Sequence, residues 1–173
     1  NTVSGVYTLS NGFSGVEIEA NNNSIANLIS ARNGHSGVYL TQSAGNYIQG
    51  VAHMNSYAGF ALNTARGNSL KVWAVGNGRH GIDLYNSSLN LIADSLAGNN
   101  GSSGAGFDGI RISDDGIQPS SYNLIISSYA WDDQALKTQE FGIRIAGMAD
   151  YTVIIGNTLK GNKFGPISAE TRH

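Results

Sequence analysis

The chain has 173 residues, enough for one domain with a real core, and only 13% of them are charged while 40% are hydrophobic, against about 25% charged in an average soluble domain; a disordered tail and a charged helical bundle are excluded. Its 19 Asn and 23 Gly make up about a quarter of the sequence and exclude a mainly helical fold. A net charge of -2 without any Lys/Arg run gives a nucleic-acid partner or an anionic membrane no electrostatic support, and the absence of Cys removes disulfides, thiolate nucleophiles and Cys-based metal sites.

No apolar run approaches the roughly 20 residues of a membrane helix, so no membrane insertion is expected. Taken from the N-terminus, Thr2-Val3-Ser4-Gly5-Val6 aligns with Tyr47-Ile48-Gln49-Gly50-Val51, which places the first residues on the second strand of a repeating unit. Gly15, Gly37, Gly59 and Gly81 then recur every 22 residues, each opening a phrase such as Gly81-Ile82-Asp83-Leu84. The phrase returns at Gly109 and Gly142 after longer gaps. Asn11, Asn33, Asn55, Asn77 and Asn99 keep the same period, as do Asn46, Asn68 and Asn90.

Each Gly-led phrase alternates apolar and polar, the mark of a strand with one buried face. Strands are expected at 15–19, 37–41, 59–63, 81–85, 109–113 and 142–146, with Val38/Leu40, Phe60/Leu62, Ile82/Leu84, Ile110/Ile112 and Ile143/Ile145 pointing inward. Second and third short strands follow in each repeat, around Ile48 or Ile92 and leading into the Asn column. The expected fold class is all-β: a parallel β-helix solenoid of about seven coils, with three short parallel sheets and Asn and Gly at the corners. Residues 1–173 read as one β-helix segment with both ends in mid-coil, cut from a longer chain. At ~4.8 Å per coil it spans ~30–35 Å.

These repeated phrases resemble the right-handed parallel β-helix of the pectate-lyase-like superfamily, which includes pectin and alginate lyases, polygalacturonases, alginate epimerases and phage tailspike or tail-appendage proteins. The segment Asp132-Asp133-Gln134…Lys137-Thr138-Gln139 is similar to a loop found in such proteins. The resemblance implies an extracellular or phage-virion protein that recognises polysaccharide and cleaves it as a hydrolase or lyase. The alternative it implies is a non-catalytic, tailspike-like adhesion or structural module, packed as a homotrimer or against flanking β-helix coils. A shared scaffold does not choose between these chemistries.

The outward column of the Gly-led strands reads Glu17, Tyr39, Ala61, Asp83, Arg111, Arg144, and the next column includes Tyr85. Insertions around 100–107, 113–122 and 131–141 are expected to wall this face, and half of the twelve acids lie in or beside them. Asp83, Asp114 and Asp115 are candidate catalytic carboxylates for glycoside hydrolysis, with Arg111 beside them. Tyr39 and Tyr85 are candidate stacking platforms, and Arg144, His80, Asp132 and Asp133 candidate substrate contacts. Each has a bland counterpart: Asp83 and Arg111 as a cross-strand ion pair, Asp114-Asp115-Gly116 as a turn, Asp132-Asp133 as a loop holder, and His80 in a stacked corner with His35 and Tyr57. No cofactor is required, although a lyase would use Ca²⁺ held by Asp pairs. Zinc is disfavoured, because His35, His53 and His80 fall at different coil positions. Arg79-His80-Gly81 is similar to the polygalacturonase His-Gly motif, but the paired aspartates follow it rather than precede it, and the epimerase Asp-Pro-His-Glu motif is absent.

Overall fold

A computed structural model describes residues 1–171. The Gly-led strands form at Val16–Ile18, Val38–Thr41, Phe60–Asn63, Ile82–Tyr85, Ile110–Ser113 and Phe141–Gly147, and the Gly165–Thr171 strand follows them. All seven stack in parallel as one sheet. Ile110 lies between Ile82 and Ile143, Ile112 between Leu84 and Ile145, and all six side chains are buried. The inward register follows the alternation in the sequence. The molecule is a parallel β-helix, with no helix among the described residues.

The expected second and third sheets are instead one eleven-stranded sheet. In the middle coils their strands run together as Ser24–Ala31, Tyr47–His53 and Ser69–Val75, and in later coils they part, as Leu91–Ala93 and Leu96–Gly98 do. The cause is one extra residue. Leu91 pairs with Ser69, 22 positions back, whereas Leu96 pairs with Trp73, 23 back. The surplus is taken up at Asp94, whose φ of 47° turns the corner, and the Ser95 hydroxyl accepts the Val72 N–H (3.0 Å) in place of a ladder bond.

That slip also corrects the asparagine column. Asn11, Asn33, Asn55 and Asn77 each donate their amide to the next carbonyl oxygen at 2.9 to 3.1 Å, but Asn77 donates to Asn100, not Asn99, and Gln139 continues the ladder. Asn99 pairs with Asp133. A second ladder joins Asn23, Asn46, Asn68, Asn90 and Asn123. Each rung leaves few buried amide groups unpaired, which is the condition for placing so polar a residue inside a core.

The repeated glycine is a packing requirement. A Cβ on Gly81 would lie 2.6 Å from the Gly109 carbonyl oxygen, 2.7 Å from the Asn100 amide nitrogen and 3.0 Å from the Ala97 Cβ. The Gly-led strand therefore enters the core against the asparagine ladder and against an inward alanine column, Ala52, Ala74, Ala97 and Ala130. Outside, the large sheet is unusually apolar. Tyr7, Ile29, Val51, Trp73, Leu96 and Tyr129 form one outward column, with Trp73 53% exposed.

Candidate functional site

The seven-stranded sheet carries an open cleft of about 380 Å³ over its second to fifth strands. Its floor is the expected outward column, in register from Tyr39 through Ala61 and Asp83 to Arg111. One wall is built by the turn that precedes these strands, where His35, Tyr57, Arg79 and Phe107 occupy equivalent places in successive coils. His35 stacks on Tyr57 with ring centroids 4.5 Å apart, and the Arg79 guanidinium lies 4.1 Å above the Tyr57 ring and 5.6 Å from that of Phe107. Such guanidinium stacking holds a cation in place without neutralising it. Asn63 and Tyr85 line the opposite side, and the Asn63 amide donates to the Tyr39 hydroxyl at 2.9 Å.

At the centre His80 is 3% exposed. Its Nδ1 accepts the Asp108 main-chain N–H at 2.9 Å, and its Nε2 lies 3.1 Å from Arg111 Nη1. A neutral imidazole has a single acceptor nitrogen, so two donors compete for it. The main-chain donor cannot turn away, which leaves the mismatch at Arg111. Burial, then the positive charges of Arg111, Arg144 and Arg79, lower the His80 pKa to about 3. The ring is neutral at physiological pH.

Asp83 and Arg111 are direct neighbours in the sheet but form no ion pair, contrary to the cross-strand pair read from the sequence. Asp83 Oδ1 and Arg111 Nε are both shut off from solvent and have no hydrogen-bond partner. Burial is the largest influence on Asp83, and with the nearby Asp108 it raises the pKa to about 6 against the opposing pull of Arg111 and Arg79. Two charged groups thus face one cleft with unused hydrogen-bonding capacity on each.

The other candidates lie elsewhere. Arg144, in the same column, turns away to Asp108, with Nε 3.0 Å from Oδ2, and to Glu140, with Nη2 2.7 Å from Oε2; it does not line the cleft. Asp114 accepts the Gly116 N–H (2.9 Å) and the Met148 N–H (3.0 Å). Asp115 accepts the N–H groups of Ile117 and Gln118, and the Gln118 bond first, then that of Ile117, holds its carboxyl below the usual range. Both staple the 113–122 insertion. Asp132 is buried under the N–H groups of Gln134, Thr138 and Gln139, and Asp133 pairs with Asn99 beside the large sheet. The first insertion reaches the cleft through Phe107; of the second only Ser113, the last residue of its strand, does, and the third does not.

Sequence reasoning did not select Arg79, Phe107 or Asp108. The first shares the 22-residue spacing of His35 and Tyr57, which was a usable signal; Phe107 takes the next place in that column only after the insertion is allowed for. No group of three His, Cys, Asp or Glu side chains gathers to hold a metal ion among the described residues. Within the cleft, two arginines face a single carboxylate, a balance that repels cations.

Comparison with solved structures shows the same right-handed fold. The mannuronan C-5 epimerase AlgE4 A-module of Azotobacter vinelandii superposes with a TM-score of 0.85 at 16% identity, over 99% of this chain and 57% of that one. The periplasmic alginate epimerase AlgG gives 0.67 at 19% identity, over 97% and 39%. Pectate lyase Pel9A gives 0.60 at 16% identity, over 99% and 55%. The chain therefore spans between about two fifths and three fifths of these proteins. A search of curated proteins returned no match. A family model described as "Periplasmic copper-binding protein (NosD)" matches residues 1–173, from the first coil to the last, and the chain belongs to the NosD family.

Proposed function

We propose that this β-helix works outside the cytoplasm, in the periplasm or beyond the cell, and binds an acidic polysaccharide in the cleft of the seven-stranded sheet. One observation carries this reading: Arg111 and Asp83 line the same cleft without pairing with each other, and no protein group satisfies Arg111 Nε or Asp83 Oδ1. A sugar carboxylate supplies two acceptor oxygens for the guanidinium, and a neighbouring hydroxyl supplies the donor that Asp83 lacks. Tyr39 and Tyr85 offer ring faces for further sugars along the groove. The structural neighbours are epimerases of mannuronan and alginate and a pectate lyase, which supports the same substrate class.

The chemistry best matched to this cleft is proton transfer at the carbon bearing the sugar carboxylate. Arg111 would neutralise that carboxylate and so acidify the adjacent C–H. The Asp83 carboxylate, ionised above pH 6, would take the proton, and a tyrosine hydroxyl on the cleft wall would give one up to the leaving oxygen or to the opposite face of the carbon. Departure of the glycosidic oxygen then gives an unsaturated sugar, whereas return of the proton to the other face gives the epimer. Hydrolysis needs two carboxylates flanking the bond, and here Asp83 alone lines the cleft while Asp108 is buried behind His80. The copper of the family description has no matching donor set in the cleft: both His80 nitrogens are engaged and Arg111 stands beside the ring. No step is assigned to copper, and no Ca²⁺ site is built from Asp114, Asp115, Asp132 or Asp133: the first three hold main-chain N–H groups of the loops and Asp133 holds the Asn99 amide.

The test is incubation with alginate, pectate and neutral glycans, reading unsaturated-product absorbance, reducing ends and sugar configuration by NMR in parallel. Product or binding with an acidic polymer, lost in Arg111→Ala, supports the reading; binding confined to neutral glycans overturns it. A second reading, a non-catalytic module packed side by side with copies of itself, is favoured by the outward apolar column through Trp73. It requires a self-association in ultracentrifugation that Trp73→Asp abolishes.

A further inference from the structure

A second cavity, of about 390 Å³, opens on the eleven-stranded sheet and shares no lining residue with the cleft. Its floor is aromatic. Tyr129 and Trp131 flank the inward Ala130 on one strand, so both point outward, half-buried, with ring centroids 5.1 Å apart and planes tilted by 32°. In its column Trp131 stands between Gly98 of the preceding coil and Lys160 of the next. A Cβ on Gly98 would lie 2.3 to 2.5 Å from three carbons of the indole. The ring therefore lies over bare backbone, in space that any other residue would fill.

The rim carries charge of both signs. The Lys160 ammonium is exposed and makes no ion pair among the described residues. Lys137 donates from Nζ to the Asp132 carbonyl oxygen and keeps two further N–H donors. Asp133 accepts the Asn99 amide on Oδ1 at 2.8 Å and donates its main-chain N–H to the Asn99 oxygen at 3.0 Å, which leaves Oδ2 as a free acceptor. The Asp132 carboxyl is taken up by the N–H groups of Gln134, Thr138 and Gln139.

We propose that this cavity is a second carbohydrate site, which takes a neutral sugar ring. The apolar face of a pyranose lies on the Trp131 and Tyr129 rings, and its hydroxyls, each both donor and acceptor, bond Asp133 Oδ2 on one side and the Lys160 and Lys137 ammonium groups on the other. A purely apolar occupant would strand Lys137 and Asp133 away from water. An acidic sugar gains nothing here, because Lys137 and Lys160 are balanced by Asp132 and Asp133, whereas in the cleft two arginines face one carboxylate. The inference stands apart from the acidic ligand assigned to the cleft, and it gives the protein two sugar sites of opposite character on two sheets.

Trp131 reports on its own cavity. The chain has two tryptophans, so Trp73→Phe leaves Trp131 as the one indole emitter. In that background, fluorescence would be titrated with cellotetraose, maltotetraose and the tetramer of N-acetylglucosamine, and with tetragalacturonate, each at low and high salt. At least one neutral tetrasaccharide is expected to change the emission saturably, with an affinity that salt alters by less than about twofold. Lys160→Ala and Asp133→Ala should each weaken that binding by about fivefold or more. The Lys160 side chain holds nothing else, so its variant keeps the question answerable if Asp133→Ala disturbs the loop. Arg111→Ala should leave the titration unchanged. The proposal is overturned by silence of Trp131 towards all three neutral sugars, by unchanged affinity in Lys160→Ala, or by a response to tetragalacturonate alone that high salt abolishes. If neutral sugars bind here while no acidic polymer binds the protein, the reading of the cleft fails and this one stands.

Discussion

Replacing Asp83 by Asn should make the protein more stable above pH 6 while disabling the cleft. Asp83 has its pKa raised from 3.8 to about 6, chiefly by burial. A carboxyl whose pKa is raised keeps its proton in the folded state after the unfolded chain has lost it. The folded state therefore bears a growing penalty between pH 4 and pH 6, complete above pH 6. About two pH units at 1.36 kcal/mol each set an upper limit of roughly 3 kcal/mol. Asparagine keeps the shape and carries no charge, but it also removes the anion nearest Arg111, so about 1–2 kcal/mol of net gain is expected. For a chain of this size that raises Tm by ~2–8 °C. Thermal melts of both proteins at pH 4.5 and pH 7.5 provide the measurement, with about a third of the gap present at the lower pH and the whole of it at the higher. Equal melting points at pH 7.5, or a less stable variant there, would refute the claim that Asp83 is held as an unpaired buried acid.

Arg111→Ala should abolish binding of acidic polysaccharide with little change in melting temperature, because the guanidinium has no ion-pair partner among the described residues; unchanged affinity in a binding titration moves the site elsewhere. Asp115→Asn, by contrast, should leave binding intact and lower the melting temperature slightly, since Asp115 holds two N–H groups of its own loop and the Asn86 amide of the preceding coil. Asn77→Ala should cost about 3 kcal/mol in urea unfolding, because it strands the Asn55 N–H and takes an acceptor from the Asn55 amide and a donor from the Ala52 carbonyl inside the core; a loss under 1 kcal/mol would mean that the ladder is ornamental. Cu²⁺ added to the protein should leave the His80 ring signals in place, and their selective loss at one equivalent would show a copper site where the cleft has none to offer.

The fold was legible because a solenoid writes its geometry into the chain once per coil. Gly15, Gly37, Gly59 and Gly81 mark places where only hydrogen fits, and Ile82/Leu84 or Ile110/Ile112 face inward because a strand has period 2. What escaped were departures of one residue. The slip at Asp94 moved the ladder from Asn99 to Asn100, and Asn99-Asn100 offers no hint of which asparagine turns inward. The floor of the cleft, Tyr39 to Arg111, followed from strand register. The acidic insertions misled for a physical reason. An aspartate in a loop has nearby main-chain N–H groups as rivals for its oxygens, and at Asp114, Asp115 and Asp132 those groups win. Arg144 shares a column with Arg111, but only folding reveals that Glu140 and Asp108 consume its charge.

The cleft is assembled from one or two side chains of each successive coil, spaced by the same repeat that spaces the strands. Its length is thus counted in coils, in increments of ~4.8 Å, close to the advance of one sugar along a polymer. Gain or loss of a whole 22-residue unit at either side of the Asp83–Arg111 pair would lengthen or shorten the groove by one subsite and leave the centre untouched. Loss of a unit inside it would pull the aromatic wall away from the arginine. Chain length of the bound polymer and chemistry at the centre can therefore diverge independently, one by duplication and the other by single substitutions.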